Sequence, residues 1–537
     1  MKQNKVKLKR RHGFQLRFWV IALTFLFEIM LIVGFVLMFF YNELTQQYFW
    51  IPVIDFIILD FILGVFIANS KVEASYKITW LTIVFIFPIA GGILYLLFAN
   101  KMTTKKRKES RYDAINSFMR KTRPNSIETI NELAKIDPDA AKISGYIYRN
   151  AFTGVYKNTE VTYYKLGDIS KEPMVNELKK AEKFIFIEYF IMQSGEFFDS
   201  IFDVLCEKAE AGIDIRMIYD DFGCSSKMSA DFFRQVRKSG IKCYPFNVLR
   251  PFIDIRQNNR DHRKIIVIDG VVGFTGGINL ADEYINKGSQ FGLWKDNCVM
   301  IKGEGVNGLT NIFLSNWNLV TRDVADNKLK KQFPIIPGFD YKDNIHFDKR
   351  LNKLFPGYVV SYGEEPFDGE DTARNIFLLM INAATKYITI STPYLILDEE
   401  LITALSIAAK AGVEVKIITP GTPDKKMIYQ CTRSYYSILG ISGVQIYEYT
   451  PGFNHEKMIV VDGKMAVTGT VNWDFRSLYL HLENGIFFYG SEAIKEMDID
   501  LKEMISVSKK VNYYEYLNAK WTKKLKWSIL RIVAPFF

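Results

Sequence analysis

Two stretches of the sequence decide the fold: HRKIIVIDGVVGFTGGIN, residues 262–279, and HEKMIVVDGKMAVTGTVN, residues 455–472. Each has a histidine, a lysine two residues later and an aspartate seven residues after the histidine, in a chain with only five histidines. A single match of this kind is expected by chance on some exposed strand. Two matches in the same surroundings predict an internal duplication.

The similarity between the two halves extends well upstream of these stretches. AEKFIFIEYFI from residue 181 resembles ATKYITISTPYLI from residue 384, and AGIDIRMIYDD from residue 211 resembles AGVEVKIITPG from residue 411. The segments come in the same order, with strand and helix patterns alternating between them. The sequence therefore predicts two fused copies of one α/β unit, each ending in a hairpin that carries the histidine.

Each hairpin can be described residue by residue. An Asp-Gly pair between apolar runs, at 269–270 and at 462–463, is typical of a two-residue turn. Positions i and i+2 of a strand share a face, so each histidine and its lysine point the same way. Counting back from a two-residue turn gives an expected register: Thr275 opposite Lys264, Gly277 opposite His262, Thr468 opposite Lys457 and Thr470 opposite His455.

The candidate catalytic residues are the two sets that these motifs define: His262, Lys264 and Asp269, and His455, Lys457 and Asp462. Within them, the two aspartates lie in the turns and are interpreted as scaffold residues that face away from the site. Asn279 and Asn472 each follow their histidine by 17 residues. We expect each half to present a histidine, a lysine and an asparagine on one patch.

Histidine, lysine and amide groups supplied twice make a site suited to a phosphate diester. Lysine and asparagine donors stabilise the negative charge that builds on the non-bridging oxygens. One imidazole can attack phosphorus to form a phosphohistidine, while the other protonates the departing alkoxide and later deprotonates the incoming hydroxyl. Adjacent ammonium groups repel cations, so neither a metal nor another cofactor is expected.

Composition narrows the choice of partner. The net charge of +10 predicts an anionic partner, and an apolar content of 49% excludes a disordered chain. Five cysteines, widely spaced and never in a C-x-x-C pair, indicate neither a disulfide framework nor a zinc site. Together with the apolar N-terminal region, the charge favours anionic phospholipid and a bilayer over nucleic acid.

Three apolar runs, at 18–41, 49–69 and 78–99, predict two or three transmembrane helices and a multi-pass protein of the cell membrane. The second run contains Asp55 and Asp60, and the third is expected to kink at Pro88. Basic residues flank the region on both sides, which three spans would place on opposite faces of the membrane. The number of spans and the side that carries the site therefore stay open.

The predicted organisation follows from these patterns. It consists of a basic tail at 1–17, the membrane region at 18–99, a basic linker at 100–134, a first α/β domain at 135–330, a second at 331–514 and an amphipathic segment at 515–537. The last segment suits a helix lying among lipid headgroups, with a docked core helix as the alternative.

The paired motifs, followed by GGIN in one half and TGTVNWDFRS in the other, resemble the phospholipase D superfamily. NNRDHRKIIVIDG, ISTPYLILDEEL, TRSYYSILGISGVQIYEY and ITWLTIVFIFPIAGGILYLLF narrow the resemblance to bacterial cardiolipin synthases, over nearly the whole chain. The resemblance implies two fused phospholipase D-like α/β sandwich domains in a pseudo-two-fold arrangement behind N-terminal transmembrane helices. It also implies a phosphatidyltransferase that joins two phosphatidylglycerol molecules into cardiolipin and releases glycerol.

The resemblance also assigns roles. An acid some thirty residues after each motif orients the histidine of the other half, and Glu483 and Asp296 are the matching positions. The histidine of the first half, His262, is then the nucleophile and His455 the general acid and base. His481, where the family has another polar residue, is interpreted as a solvated or packed strand residue.

Two other functions stay open at this stage. A hydrolase of the same superfamily would use water as the acceptor, and a membrane scaffold would bind anionic lipid without turnover. A phosphatidyl donor other than phosphatidylglycerol, and an oligomeric state, are both compatible with the sequence.

Overall fold

The computed structural model describes residues 22–34, 36–37, 40, 50–70, 72–96, 105–248, 259–326, 339 and 355–537. Contacts divide the chain into two compact units. The smaller is drawn from Met1–Lys108 and Ser528–Phe536, and the larger from Glu109–Val248 and Asn259–Trp527. Both halves of the duplication lie in the larger unit.

The smaller unit contains a helix at Trp50–Ala68 and two shorter helices at Ala74–Ile86 and Pro88–Leu94. The break between the short helices falls at Phe87, directly before Pro88, where the sequence predicts a kink. Tyr76 and Trp80 form part of a small core here, and the ring of Phe536 packs against both, at 5.9 and 5.4 Å.

The predicted membrane spans coincide only in part with these helices. Residues 18–21, 35, 38–39 and 41 of the first run, residue 49 of the second and residues 97–99 of the third lie outside the described residues. Within the described part of the chain, no helix combines the length and the apolarity needed to cross a bilayer. The spans stay a prediction.

The larger unit is built on two main sheets. The strands of the first half are β1 (Thr159–Tyr164), β2 (Phe184–Tyr189), β3 (Asp214–Asp220), β4 (Lys242–Phe246), β5 (Lys264–Ile268), β6 (Val272–Gly276), β7 (Leu293–Lys295) and β8 (Cys298–Gly303). Seven of them form one sheet in the order β1-β8-β6-β5-β2-β3-β4. Here β2, β3 and β4 run parallel, and β5, β6, β8 and β1 pair antiparallel.

The second half repeats this pattern. Its strands are β9 (Tyr358–Glu364), β10 (Tyr387–Ser391), β11 (Glu414–Pro420), β12 (Gln445–Tyr449), β13 (Gly452–Asn454), β14 (Met458–Val461), β15 (Met465–Gly469), β16 (Glu483–Tyr489) and β17 (Ser508–Lys510). Eight of them form the sheet β17-β12-β11-β10-β14-β15-β16-β9. The α/β fold class and the duplication are therefore confirmed.

Helices cover the sheets and fill the space between them. In the larger unit they span Ile127–Ile136, Pro138–Asn150, Gly167–Leu178, Glu196–Glu210, Asp221–Ser225, Ala230–Lys238, Val306–Asp326, Thr372–Ala383, Glu399–Lys410, Lys426–Ser434, Tyr436–Ile441, Phe475–Tyr479, Ala493–Ser506 and Tyr513–Leu517. Lys105–Thr122 and Trp521–Ile532 are also helical. The helices Val306–Asp326 and Ala493–Ser506 pack between the two sheets, where one buried apolar core takes side chains from both halves.

The hairpin register differs from the expected one by one residue. Ile265 pairs with Thr275 and Met458 with Thr468, because each turn uses three residues, 269–271 and 462–464, instead of two. Asp269 adopts a φ of 52°, so the Asp-Gly pair does form the turn that it predicts. One further residue follows the pair before the pairing of the two strands begins. The expected pairing of Thr275 with Lys264 and of Thr468 with Lys457 is therefore wrong.

This shift changes which face each threonine occupies, since neighbouring residues of a strand point to opposite sides. Thr275 accepts a hydrogen bond from Asn484 Nδ2 at 2.8 Å, and Thr468 donates to Asn297 Oδ1 at 3.1 Å. Both threonines thus bond across the contact between the halves. Gly277 and Thr470 lie beyond the ends of β6 and β15, so their expected places opposite the histidines are wrong as well.

Candidate active site

Each half of the duplication forms a backbone hydrogen bond with the histidine of the other half. His262 N donates to Leu482 O of the second half at 2.8 Å, and His455 N donates to Lys295 O of the first half at 2.7 Å. Before His455, β13 pairs in parallel with β7. Each motif is therefore positioned by the backbone of the opposite half, and the site is composite.

Each imidazole contacts a carboxylate from the opposite half. His262 Nδ1 lies 2.9 Å from Glu483 Oε2, and His455 Nδ1 lies 2.6 Å from Asp296 Oδ2. An ionised carboxylate only accepts hydrogen bonds, so at His262 Nδ1 carries the hydrogen and Nε2 presents a lone pair. At His455, Nδ1 lies within hydrogen-bond distance of Lys457 Nζ, at 2.8 Å, as well as of the carboxylate. Both rings are buried, and the contacts fix their orientation.

The two lysines bring positive charge to the same place. Burial lowers the pKa of Lys264 to about 7 and that of Lys457 to about 8, although nearby carboxylates act in the opposite direction. Lys264 Nζ donates to His262 O at 2.6 Å, and Lys457 Nζ donates to His455 O. Burial lowers the pKa of His455 well below its usual range, and the charges of Lys457 and Lys264 lower it further, so the lysines of both motifs lie near this imidazole.

Asp269 and Asp462 lie outside the site. The carboxylate of Asp269 accepts hydrogen bonds from the backbone N–H groups of residues 182–184, each at 2.8 Å. Asp462 does the same for residues 385–387. Both aspartates tie the hairpin turn to the start of the neighbouring strand, so they contact no reacting group.

The two asparagines differ from each other, contrary to the expected matched patch. Asn279 is buried, accepts from Ile191 N at 3.1 Å and donates to Tyr284 Oη at 2.7 Å. Its amide is thus used within the first half. Asn472 is buried too, but its Oδ1 has no hydrogen-bond partner among the described residues.

The carboxylates also have different surroundings. Thr470 Oγ1 donates to Glu483 Oε2. Gly277 occupies the same place in the first half, and a Cβ there would lie 2.0 Å from Asp296 Oδ1. Burial raises the pKa of Asp296 to about 6, whereas burial of Glu483 is outweighed by His262, which holds the pKa of that carboxyl below its usual range.

Buried charges follow each histidine, with opposite signs. Arg263, completely buried, donates from Nε to Glu483 O at 3.0 Å and also bonds Glu365 at 3.2 Å. The corresponding residue of the second half is Glu456, which accepts from Lys295 at 3.2 Å and from Asn297 at 3.1 Å. Both networks connect the halves directly behind the site.

Sequence reasoning named His481 but took it for a solvated or packed strand residue, and it missed Trp294 and Tyr284 as neighbours of His455. His481 lies in a bend before β16, not in a strand, with its ring centroid 5.8 Å from that of His262. The ring centroids of Trp294 and Tyr284 lie 5.4 and 5.5 Å from that of His455. Trp294 and His481 each precede their acid by two residues, and this shared spacing is the signal that identifies them.

Among the described residues, one cluster has ligand atoms close enough for a metal: His262, His481 and Glu483, all within 4.8 Å. Glu483 already accepts from His262 and Thr470. Burial lowers the pKa of Lys264 and the charge of Glu483 acts against that shift, so the two groups are close together and the ammonium form of Lys264 opposes a cation there. The arrangement favours an anionic ligand.

Two protein families match this chain, one over the duplicated α/β halves and one over the N-terminal apolar region. The family described as cardiolipin synthase, PLD-like domain, matches residues 174–317 and 377–505. The family described as phospholipase D-nuclease N-terminal matches residues 58–100.

Similar proteins cover most of the sequence. An uncharacterized protein of Streptococcus mutans is 37% identical over 88% of this chain and 98% of its own length. A cardiolipin synthase of Geobacillus kaustophilus is 32% identical over 86% of this chain and 89% of its own length. In fold, the chain is similar to the phosphatidylserine synthase of Haemophilus influenzae, with a TM-score of 0.51, 15% identity, and coverage of 70% of this chain and 93% of that one.

Proposed function

The chain belongs to the cardiolipin synthases of the phospholipase D superfamily, and on that premise we propose that it transfers a phosphatidyl group from one phosphatidylglycerol to another through a phosphohistidine. The products are cardiolipin and glycerol. The observation that carries the proposal is the reciprocal contact of each histidine with a carboxylate of the other half, His262 with Glu483 and His455 with Asp296. This contact makes one site with two oriented imidazoles, which a two-step exchange at phosphorus requires.

In the first step His262 Nε2 attacks phosphorus, and the bond from phosphorus to the glycerol oxygen breaks. Burial lowers the pKa of His262 to about 3, so the imidazole is neutral and nucleophilic at physiological pH. Glu483 keeps the hydrogen on Nδ1 and stabilises the positive charge that the ring acquires. Lys264 and Lys457 stabilise the negative charge on the non-bridging oxygens of the phosphoryl group.

His455 moves the proton in both steps. It gives a proton from Nε2 to the departing glycerol oxygen, and the negative charge of the bound diester favours the doubly protonated ring that this transfer needs. The neutral ring then accepts a proton from the hydroxyl of a second phosphatidylglycerol. That oxygen attacks phosphorus, the bond from phosphorus to His262 breaks, and both histidines return to their starting states.

We place the site at the cell membrane, in a multi-pass protein that takes its substrates from the bilayer. The helix Trp50–Ala68 supports this placement because it exposes large apolar side chains such as Ile57, Phe61 and Phe66. The helix Trp521–Ile532 supports it as well. This helix carries four basic residues together with an exposed apolar stripe formed by Trp521, Leu525 and Ile529. A helix of this kind suits the headgroup layer of an anionic membrane.

The decisive experiment incubates the purified, detergent-solubilised chain with phosphatidylglycerol labelled in its headgroup and acyl chains. Cardiolipin and free glycerol in equal amounts are the expected products. Phosphatidic acid in place of cardiolipin would assign a hydrolase, and unchanged lipid would assign a scaffold without turnover. A parallel incubation with added phosphatidylethanolamine tests whether a second phospholipid serves as donor.

A further inference from the structure

His481 has no task in the steps described above, although it lies beside the proposed nucleophile. Its ring centroid is 5.8 Å from that of His262, and its Nδ1 is 3.7 Å from Glu483 Oε1, beyond hydrogen-bond distance. The ring of Phe190 also contacts His262, in a T-shaped arrangement with 5.0 Å between the ring centroids. His481 is therefore the polar neighbour of His262 and Phe190 the apolar one.

Neither ring nitrogen of His481 has a hydrogen-bond partner within the described structure, and both are buried. Buried polar atoms are almost always paired, because an unpaired one has lost its hydrogen bonds to water without replacement. A histidine next to a nucleophile with both nitrogens unpaired indicates a partner that arrives with the substrate.

The geometry of the two histidines limits what that partner is. Both Nδ1 atoms are held by carboxylates, so Nε2 is the ring nitrogen that each histidine has left for the substrate. In the proposed steps the leaving alcohol belongs to His455, and phosphorus with its non-bridging oxygens belongs to His262. The corresponding neighbour of His455 is Trp294, an indole that donates but does not accept hydrogen bonds.

We infer that His481 is a substrate-binding residue that donates a hydrogen bond to a non-bridging oxygen of the phosphoryl group. The contact is made to the bound diester and persists in the phosphohistidine, and it rests on the function proposed above. Through this contact His481 assists the lysines in stabilising the charge on the phosphoryl group, while His455 protonates the departing alcohol.

The test compares His481→Leu with His481→Asn on two substrates, phosphatidylglycerol and phosphatidyl-p-nitrophenol, whose leaving group needs no proton. We expect His481→Leu to lower kcat/KM by about 10- to 100-fold on both, the effect of removing one donor to developing charge. His481→Asn should stay within about threefold of the wild type, since an amide N–H at this place can donate to the same oxygen. Thermal melting of both variants reports on folding.

Three outcomes would overturn the inference. A loss confined to phosphatidylglycerol would assign His481 to the leaving alcohol. Equal losses in both variants, with unchanged melting, would show that hydrogen bonding is not the role of the ring. Wild-type rates in His481→Leu would show that the ring has no role at all. If the wild type released nitrophenol but made no cardiolipin, the proposed function would fail while the comparison of variants still tested this contact.

Discussion

The His262 side and the His455 side of the site share a backbone plan, a carboxylate and a lysine, but the other neighbours of the two imidazoles differ. His262 has a carboxylate with a firmly held negative charge, a threonine that bonds it, and a second imidazole. His455 has an aspartate beside a glycine, with Trp294 and Tyr284 packed around the ring. The duplication gives two equivalent positions, and in the proposed mechanism their different neighbours suit His262 to carry positive charge and His455 to exchange a proton.

The strongest test of this difference removes one imidazole at a time. His262→Ala and His455→Ala should each lower cardiolipin formation by about five orders of magnitude, since both groups act in one unit. On phosphatidyl-p-nitrophenol, however, His455→Ala should still release a burst of nitrophenol and accumulate a covalent lipid adduct on His262. His262→Ala should do neither. Mass spectrometry that found the adduct on His455 would exchange the two roles.

Removing the charge of one acid at a time should give a smaller, parallel result. Glu483→Gln and Asp296→Asn disturb the hydrogen on Nδ1, and a comparable change in a serine protease costs about 10⁴-fold. We expect Glu483→Gln to lose activity on both substrates, because the nucleophile is misaligned. Asp296→Asn should lose activity mainly on phosphatidylglycerol. Equal losses on the nitrophenyl substrate would contradict the proposed asymmetry.

The glycine and the threonine next to the acids offer a milder comparison. Gly277→Ala places a methyl group where Asp296 lies, so the carboxylate must move, and displacement on this scale is expected to lower kcat/KM by about 100-fold. Thr470→Ala only removes one hydrogen bond to Glu483, which should lower it by about tenfold. Steady-state kinetics on phosphatidylglycerol, with melting temperatures as the control, measure both. A larger effect at Thr470 would reverse the expected order.

The pH dependence of kcat/KM should report on both sides at once. Burial raises the pKa of Asp296 to about 6, so kcat/KM falls as the pH drops through 6 and the carboxyl ceases to accept from His455. Burial lowers the pKa of Lys264 to about 7, so its charge, and with it phosphate binding, is lost as the pH rises through 7. Asp296→Asn should abolish the acidic limb and keep the alkaline one. An unchanged acidic limb in that variant would assign it to another group.

The smallest expected effect is that of chelation. Because Lys264 and Lys457 supply the positive charge at phosphorus, activity should change by less than about twofold after treatment with EDTA. Dialysis with and without the chelator, followed by the phosphatidylglycerol assay, measures this. A large loss that one divalent metal alone restored would mean that the His262, His481 and Glu483 cluster holds a metal.

Local patterns in the sequence were sufficient to predict the duplicated α/β fold, the hairpins and the scaffold position of Asp269. The register was misjudged because an Asp-Gly pair predicts a tight turn but not the extra residue after it, and one residue reverses the faces. The hydrogen bond from Asn279 to Tyr284 and the position of His481 beside His262 depend on how the folded chain packs. Periodicity carries no information about these, so they could be established only from the structure.

The contact of His262 with Glu483 joins residues 221 positions apart, and that of His455 with Asp296 joins residues 159 apart. During synthesis on the ribosome, the nucleophile therefore emerges long before the acid that orients it. Synthesis runs from the N-terminus, so the whole first half is made while its histidine is still without Glu483. A nascent or prematurely terminated chain that ends before residue 483 would have His262 without the acid that orients it, and on the proposed mechanism it would leave phospholipids intact.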